Sequence, residues 1–206
     1  MRLDRYIAKQ LKSPTGLGGK LVFRVMNRQN RRLYEDAIQL LKPSEADSLL
    51  DIGCGNGNVL NMLARQYECI FTGIDTSASM IKAAIRRNRK YVKNGNMTFI
   101  CQDASAMYFD NDSFSMVYTI NTVYFWESLD DMMAEIRRVL KPGGLFMNVL
   151  YTNETLSRFS FTQFGYTRFT EEQLVNAGIN AGFSAEVVPI LNGDAYCVLY
   201  QKISQD

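Results

Sequence analysis

Leu49-Leu50-Asp51-Ile52-Gly53-Cys54-Gly55-Asn56-Gly57 is the stretch on which the fold turns. An apolar run carrying a single carboxylate enters a turn with glycine at every second position, and helical spacing begins at Asn58. Without Cβ atoms the glycines let the main chain approach a ligand closely, and the helix that follows presents its N-terminal amides to an electron-rich group. This segment predicts a nucleotide-like ligand at a strand-turn-helix junction. Spacing narrows the choice: dinucleotide sites favour G-x-G-x-x-G, whereas here the glycines stand at 53, 55 and 57 and Asn58 takes the place of the last one. The turn therefore fits a ligand that has no pyrophosphate.

Outward from that turn, short β-rich runs alternate with helical stretches. The pattern predicts strands over 48–52, 69–75, 97–101, 115–120 and 144–151, with helices over 58–66, 78–91 and 129–140. Such alternation indicates a parallel sheet covered on both faces. The rhythm breaks at the end, where a helix over 171–181 precedes strands over 185–190 and 196–203. The short turn Leu191-Asn192-Gly193-Asp194 forces those two strands to be antiparallel. Successive strand ends then meet at one edge. Asp75 closes the second strand, where a carboxylate can accept from both ribose hydroxyls or cap the helix that follows. Cys101-Gln102-Asp103-Ala104 closes the third and Ile120-Asn121-Thr122 the fourth, while Lys141-Pro142-Gly143-Gly144 is a turn feeding the fifth.

Composition limits what such a site can do. The chain has 206 residues, enough for one good core with an appendage, and no apolar run near the roughly 20 residues of a membrane span. A soluble cytoplasmic protein is the expectation. Cys54, Cys69, Cys101 and Cys197 form no CxxC pair, and with no histidine present neither a zinc site nor a Ser-His-Asp triad is expected. No metal is assigned. The first 32 residues hold nine Lys or Arg against the single Asp4, while the rest of the chain is acidic in balance. Such an arm can dock on its own acidic body or meet an anionic surface, peripheral membrane included; nucleic acid is the weakest of these readings. Within it, residues 2–12 read as an amphipathic helix through Leu3, Ile7 and Leu11 that stops before Ser13-Pro14. Thr15-Gly16-Leu17-Gly18-Gly19 reads as a hinge, and helical spacing resumes from Leu21 to Leu41. Residues 1–42 are thus expected to form a helical cap, and 43–206 the main domain.

Through LLDIGCGNG, Gly73-Ile74-Asp75, Gln102-Asp103-Ala104 and Leu140 to Gly144 in that order, the chain resembles the class I S-adenosylmethionine-dependent methyltransferases. The likeness runs from about Ala46 to the C-terminus. It implies an α/β fold: a Rossmann-like, seven-stranded, mostly parallel sheet with an antiparallel terminal strand, helices on both faces, and here an N-terminal helical cap. It also implies S-adenosylmethionine as cofactor and a small-molecule acceptor. The resemblance carries the following roles onto this sequence. Gly53, Cys54, Gly55 and Gly57 wrap the methionine part with Asp51 near its amino group; Asp75 holds the ribose, and Thr76 also contacts the cofactor. Met80 packs on adenine, Asp103 and Ala104 bind its edge, and Ile120 and Asn121 close the side nearest sulfur. The chain looks most like the bacterial quinone-methylase-like branch, whose members carry a basic N-terminal cap and a stretch like Val123 to Trp126.

On the acceptor side, Tyr124, Phe125 and Trp126 follow the fourth strand at the ligand edge and are expected to wall an apolar pocket. Phe159, Phe161, Phe164, Tyr166 and Phe169 crowd the next long connection, as a recognition segment or as a patch beneath a loop. Met26, Asn27 and Asn30 are expected to reach the crevice if the cap folds over it as a lid. The run Arg86-Arg87-Asn88-Arg89-Lys90 reads as a solvated helix end. Methyl transfer needs alignment more than acid-base chemistry, and the sequence designates no catalytic base. Two other functions fit parts of the pattern: a regulatory module that binds S-adenosylmethionine without turnover, and an NAD(P)-dependent reductase, which the glycine spacing and the terminal hairpin disfavour.

Overall fold

The computed structural model describes residues 2–12 and 16–203. Three helices come first: α1 (Arg2–Lys12), α2 (Gly16–Gln29) and α3 (Arg31–Leu41). Then β1 (Ser48–Ile52), α4 (Asn58–Leu63), β2 (Ile70–Asp75), α5 (Ala78–Arg87), α6 (Arg89–Lys93) and β3 (Met97–Cys101) alternate as anticipated. The chain continues through β4 (Phe114–Ile120), α7 (Leu129–Val139), β5 (Leu140–Tyr151), α8 (Asn153–Ser157), α9 (Glu171–Asn180), β6 (Phe183–Ile190) and β7 (Ala195–Lys202). The strands form one sheet in the order β3-β2-β1-β4-β5-β7-β6, with β7 antiparallel to both its neighbours. The order reverses between β1 and β4, which opens a crevice at the carboxyl edge there.

Strand geometry explains how one sheet serves two cores, because successive side chains point to opposite faces. Leu49 and Tyr118 join the cluster that packs under α3, α4 and α5 with Leu33, Ile38, Leu60, Leu63 and Ala84. Their chain neighbours Leu50 and Val117 face the other way, against Met133, Ile136, Leu174 and Phe146. The parallel strands are therefore apolar on both sides, as their near-continuous buried runs require.

Four sequence expectations change. The glycines at 16, 18 and 19 begin α2 instead of forming a hinge, and a Cβ on Gly18 would collide with the Tyr6 hydroxyl, so the missing side chain permits close approach of α1. The Ser13-Pro14 stop and Thr15 lie outside the described residues. The stretch 21–41 is two helices meeting at Asn30. Within the stretch expected as a cap, α3 packs with the body: Leu33, Tyr34, Ala37, Ile38 and Leu41 are buried with residues of the sheet, while no described residue of α1 or α2 belongs to that cluster. Finally, Lys141 to Gly144 lie inside β5 as an irregularity in its register with β4, between the pairs Phe114–Leu140 and Met116–Leu145.

Among the described residues no helix is long and apolar enough to cross a membrane. The four cysteines are free.

Candidate functional site

The glycine turn is held from three sides. Gly53 and Cys54 both donate their amides to the Ile74 carbonyl at 2.9 Å, and Gly55 donates to Asp75 Oδ2 at 2.9 Å. Gly53 and Gly55 lie in the left-handed region, at φ 72° and 52°, which L side chains rarely adopt. A Cβ on Gly55 would come within 2.9 Å of the Phe23 ring, so α2 rests directly on the turn.

The third support was not legible in the sequence. The expected helix over 78–91 breaks at Asn88, whose buried side chain turns back on the turn. Its Nδ2 donates to the carbonyls of Gly57 (3.0 Å) and Ala84 (3.1 Å), and its Oδ1 accepts from Asn61 Nδ2 at 2.8 Å. Arg87 adds two bonds, to the Asn56 carbonyl and to Asn58 Oδ1, both at 3.1 Å. The basic run is thus only partly a solvated helix end: two of its residues brace the loop. Asn88→Ala, which leaves these buried groups without partners, is expected to lower stability by about 1–3 kcal/mol, read as the urea unfolding midpoint. An unchanged midpoint would show that the brace carries no energy.

The carboxyl edge opens into a cavity of about 700 Å³. Its floor comes from the ends of four strands: Asp51 to Gly55, Ile74 to Thr76, Gln102 to Ser105 and Ile120 to Thr122. Asp75 uses both oxygens on main-chain amides, Oδ2 on Gly55 and Oδ1 on Ser77 at 2.8 Å, so it shapes the turn and the start of α5 together. Burial raises its carboxyl above the usual range, while those two amides pull the other way. Asp103 accepts from the Ser105 amide at 2.9 Å. Asn121 takes a left-handed conformation, φ 57°, which asparagine tolerates better than most residues.

Asp51 is the most perturbed acid of the site. It is 4% exposed, and removal from water pushes its carboxyl up to about 8, with Asp75 adding repulsion and the Tyr118 hydroxyl, donating at 3.0 Å, opposing the shift. The adjacent Cys54 thiol is also raised by burial, which favours its protonated form.

The part of the cavity beyond the strand ends is rich in aromatic side chains. Phe125, Trp126 and Tyr166 come from the β4 end and the post-β5 segment; the Tyr166 ring sits 4.8 Å from Phe125 and 5.3 Å from Tyr124. Phe159 and Phe161 line the same cavity, whereas Phe164 and Phe169 of the crowded aromatic segment do not. From the cap come Phe23, Met26, Asn27 and Asn30. A line of neutral hydrogen bonds ties cap to body: Tyr151 OH donates to Asn30 Oδ1 (2.9 Å), Asn30 Nδ2 to Tyr34 OH (3.5 Å), Tyr34 OH to Asn27 Oδ1 (3.3 Å), and Asn27 Nδ2 to Asn56 Oδ1 (3.0 Å). Tyr34 and Tyr151 were not singled out from the sequence, because nothing local marks a tyrosine on a core helix or at a strand end.

Of the anticipated residues, Asp51, Gly53, Cys54, Gly55, Asp75, Thr76, Asp103, Ala104, Ile120 and Asn121 all line this cavity, as do Asn27, Asn30, Tyr124, Trp126 and Tyr166. Two do not. Met80 is 2% exposed and turned inward, because it shares the buried face of α5 with Ile81 and Ala84. Gly57 caps α4 at φ 67° with Asn88 packed where its Cβ would be, and stands behind the wall.

Comparison with known proteins agrees with this geometry. Residues 49–144 match the family model described as a methyltransferase domain. The chain is 29% identical over 133 residues to 24-methylenesterol C-methyltransferase 2 of Oryza sativa subsp. japonica, covering 64% of this chain and 37% of that protein. It spans about a third of the length of the curated relatives it matches. Among solved structures, the methyltransferase in complex with the Trm112 activator of Haloferax volcanii superposes with a TM-score of 0.79 at 20% identity, over 88% of this chain and 93% of that one. Geranyl diphosphate C-methyltransferase of Streptomyces coelicolor A3(2), solved with S-adenosyl-L-homocysteine, gives 0.73 at 15% identity over 94% and 87%. These likenesses establish the fold.

Proposed function

We propose, from the premise that residues 49–144 are a methyltransferase domain of the class I type, that this chain is an S-adenosylmethionine-dependent methyltransferase acting on a small molecule. The observation that carries the reading is the two-part cavity, in which carboxylates and close-approach main chain line one half and aromatic rings the other. A sulfonium cofactor with an ammonium and a ribose suits the first half. Asp51 pairs with its amino group and Asp75, with lone pairs left after its two amide bonds, accepts from the ribose hydroxyls. Asp103 and Ala104 meet the adenine edge, while Ile120 and Asn121 flank the sulfur.

Bound there, the cofactor supplies an electrophilic methyl group. The chain's own part is alignment and exclusion of water, since transfer is an in-line displacement. Phe125, Trp126 and Tyr166 position the acceptor from one side, and α1 and α2 act as a lid from the other. The tyrosines are hydrogen-bonding groups and not bases: burial pushes Tyr34 up to about 12 and Tyr124 well above its ordinary value. Within the class, the basic cap and the Val123 to Trp126 wall support the quinone-methylase-like branch, and the basic outer residues of the cap support contact with an anionic membrane surface.

Calorimetry with S-adenosylhomocysteine and with NADP tests the reading. Saturable binding of the first alone is expected; tight binding of the second alone would make the protein a reductase, and binding without methyl transfer to any acceptor a regulatory module. Asp75→Ala is expected to weaken S-adenosylhomocysteine by about 1.5–3 kcal/mol, the usual scale for hydrogen bonds to a charged group. Wild-type affinity in that variant would remove the ribose assignment.

A further inference from the structure

Charge is divided unevenly in the cavity. Asp51, Asp75, Asp103, Glu127 and Asp131 line it, and among the described residues Lys12, exposed at the end of α1, is the one basic side chain that does. The arginines of the acceptor segment are engaged elsewhere. Arg168 donates to the Asn153 carbonyl, Ser157 Oγ and Thr162 Oγ1; Arg158 pairs with Glu154 and Asp194; and Arg5 lies over the Phe164 ring at 5.2 Å. A phosphate or carboxylate taken in among the aromatic rings would lose its water and find ring faces instead of guanidinium forks, with carboxylates lining the same cavity.

The polar groups that tie the cap to the body at the acceptor half are neutral. Each donor in the line from Tyr151 through Asn30, Tyr34 and Asn27 to Asn56 points along the line, and Tyr124 OH donates to Asn121 Oδ1 at 3.2 Å. The Tyr151 oxygen, at the head of the line, has given its proton to Asn30 and retains lone pairs. At that oxygen the network can accept a hydrogen bond from a ligand.

We propose that the acceptor is an uncharged, predominantly apolar molecule with one hydroxyl or similar donor, held by the aromatic wall of Phe125, Trp126, Phe161 and Tyr166 with that donor on the Tyr151 oxygen. With exposed Lys12 the one basic side chain lining the cavity among the described residues, phosphorylated and carboxylate acceptors are discriminated against. The inference rests on the methyltransferase reading and sharpens it to a substrate class.

Trp126 is the single tryptophan of the chain and lines the cavity, so its fluorescence reports filling of the acceptor half. The full chain is first shown by calorimetry to bind S-adenosylhomocysteine; failure at that step overturns the methyltransferase reading, and this inference with it. The saturated complex is then titrated with geraniol, farnesol and 2-naphthol, with geranyl diphosphate, and with geranyl methyl ether. The expected result is a saturable Trp126 change with at least one neutral alcohol or phenol, at least tenfold tighter than with the diphosphate. A diphosphate that binds as well or better, or no saturable change with any of the three neutral donors, overturns the proposal while leaving the cofactor reading intact. Tyr151→Phe should erase the preference for geraniol over its methyl ether with S-adenosylhomocysteine affinity unchanged; a preference that survives removes Tyr151 from the assignment.

Discussion

Removal of residues 1–29 is expected to cost at least about a hundredfold in turnover while the sheet still folds, because a reacting group displaced by as little as 1 Å can lose that much. The cut takes away α1 and α2, and with them Phe23, which lies on the Gly55 turn, and Met26 and Asn27, which line the cavity. Water then enters the acceptor half, and Tyr34 loses the Asn27 carbonyl that accepts its proton. It leaves α3, whose Leu33, Ala37, Ile38 and Leu41 are 0–3% exposed and packed in the main core. Cooperative urea unfolding of the truncated chain, alongside S-adenosylhomocysteine release with any acceptor the full chain methylates, separates lid from scaffold. Undiminished turnover would remove the lid.

Cofactor binding is expected to release a proton and to tighten with pH. Asp51 is protonated below about 8 in the free protein, chiefly because it is buried. A cationic amino group beside it favours the carboxylate, so each pH unit below about 8 should weaken S-adenosylhomocysteine by up to about tenfold, or roughly 1.4 kcal/mol. Calorimetry in buffers of different ionisation enthalpy measures the released proton directly. The same shift acts on folding with the opposite sense from that of a salt-bridged acid. Because the native carboxyl binds its proton more tightly than the unfolded one, the free protein is expected to lose stability as pH rises from about 4 to about 8 and to lose no more from this group above that. Asp51→Asn keeps an acceptor for the Tyr118 hydroxyl and should flatten both profiles. A pH-independent affinity in the wild-type chain would mean that Asp51 does not meet the amino group.

The two predictions draw on different levels of the molecule. Asp51, Asp75 and Asp103 were legible because each sits at the end of a strand whose apolar pattern announces it, and the sheet edge gathers strand ends wherever the order reverses. Met80 lies elsewhere than expected for a related reason: it follows Asp75 closely, but a helix begins at Ala78 and its period turns residue 80 inward. The glycine-rich segment before Leu21 gave the composition of a hinge, and only the approach of Tyr6 shows that its lack of side chains serves contact between helices.

By itself, then, the sequence determined the alternating sheet, the antiparallel end, the glycine turn and the acids around it, because period, turn chemistry and strand ends are local properties of the chain. Tertiary structure alone decided that Asn88 and Arg87 brace the turn, that α3 is core while α1 and α2 are cover, and that Tyr151, Asn30, Tyr34 and Asn27 join in one neutral line. Those partners lie far apart in the chain, up to 121 positions between Asn30 and Tyr151. No local pattern encodes such a meeting, since it exists only once the hydrophobic faces have packed.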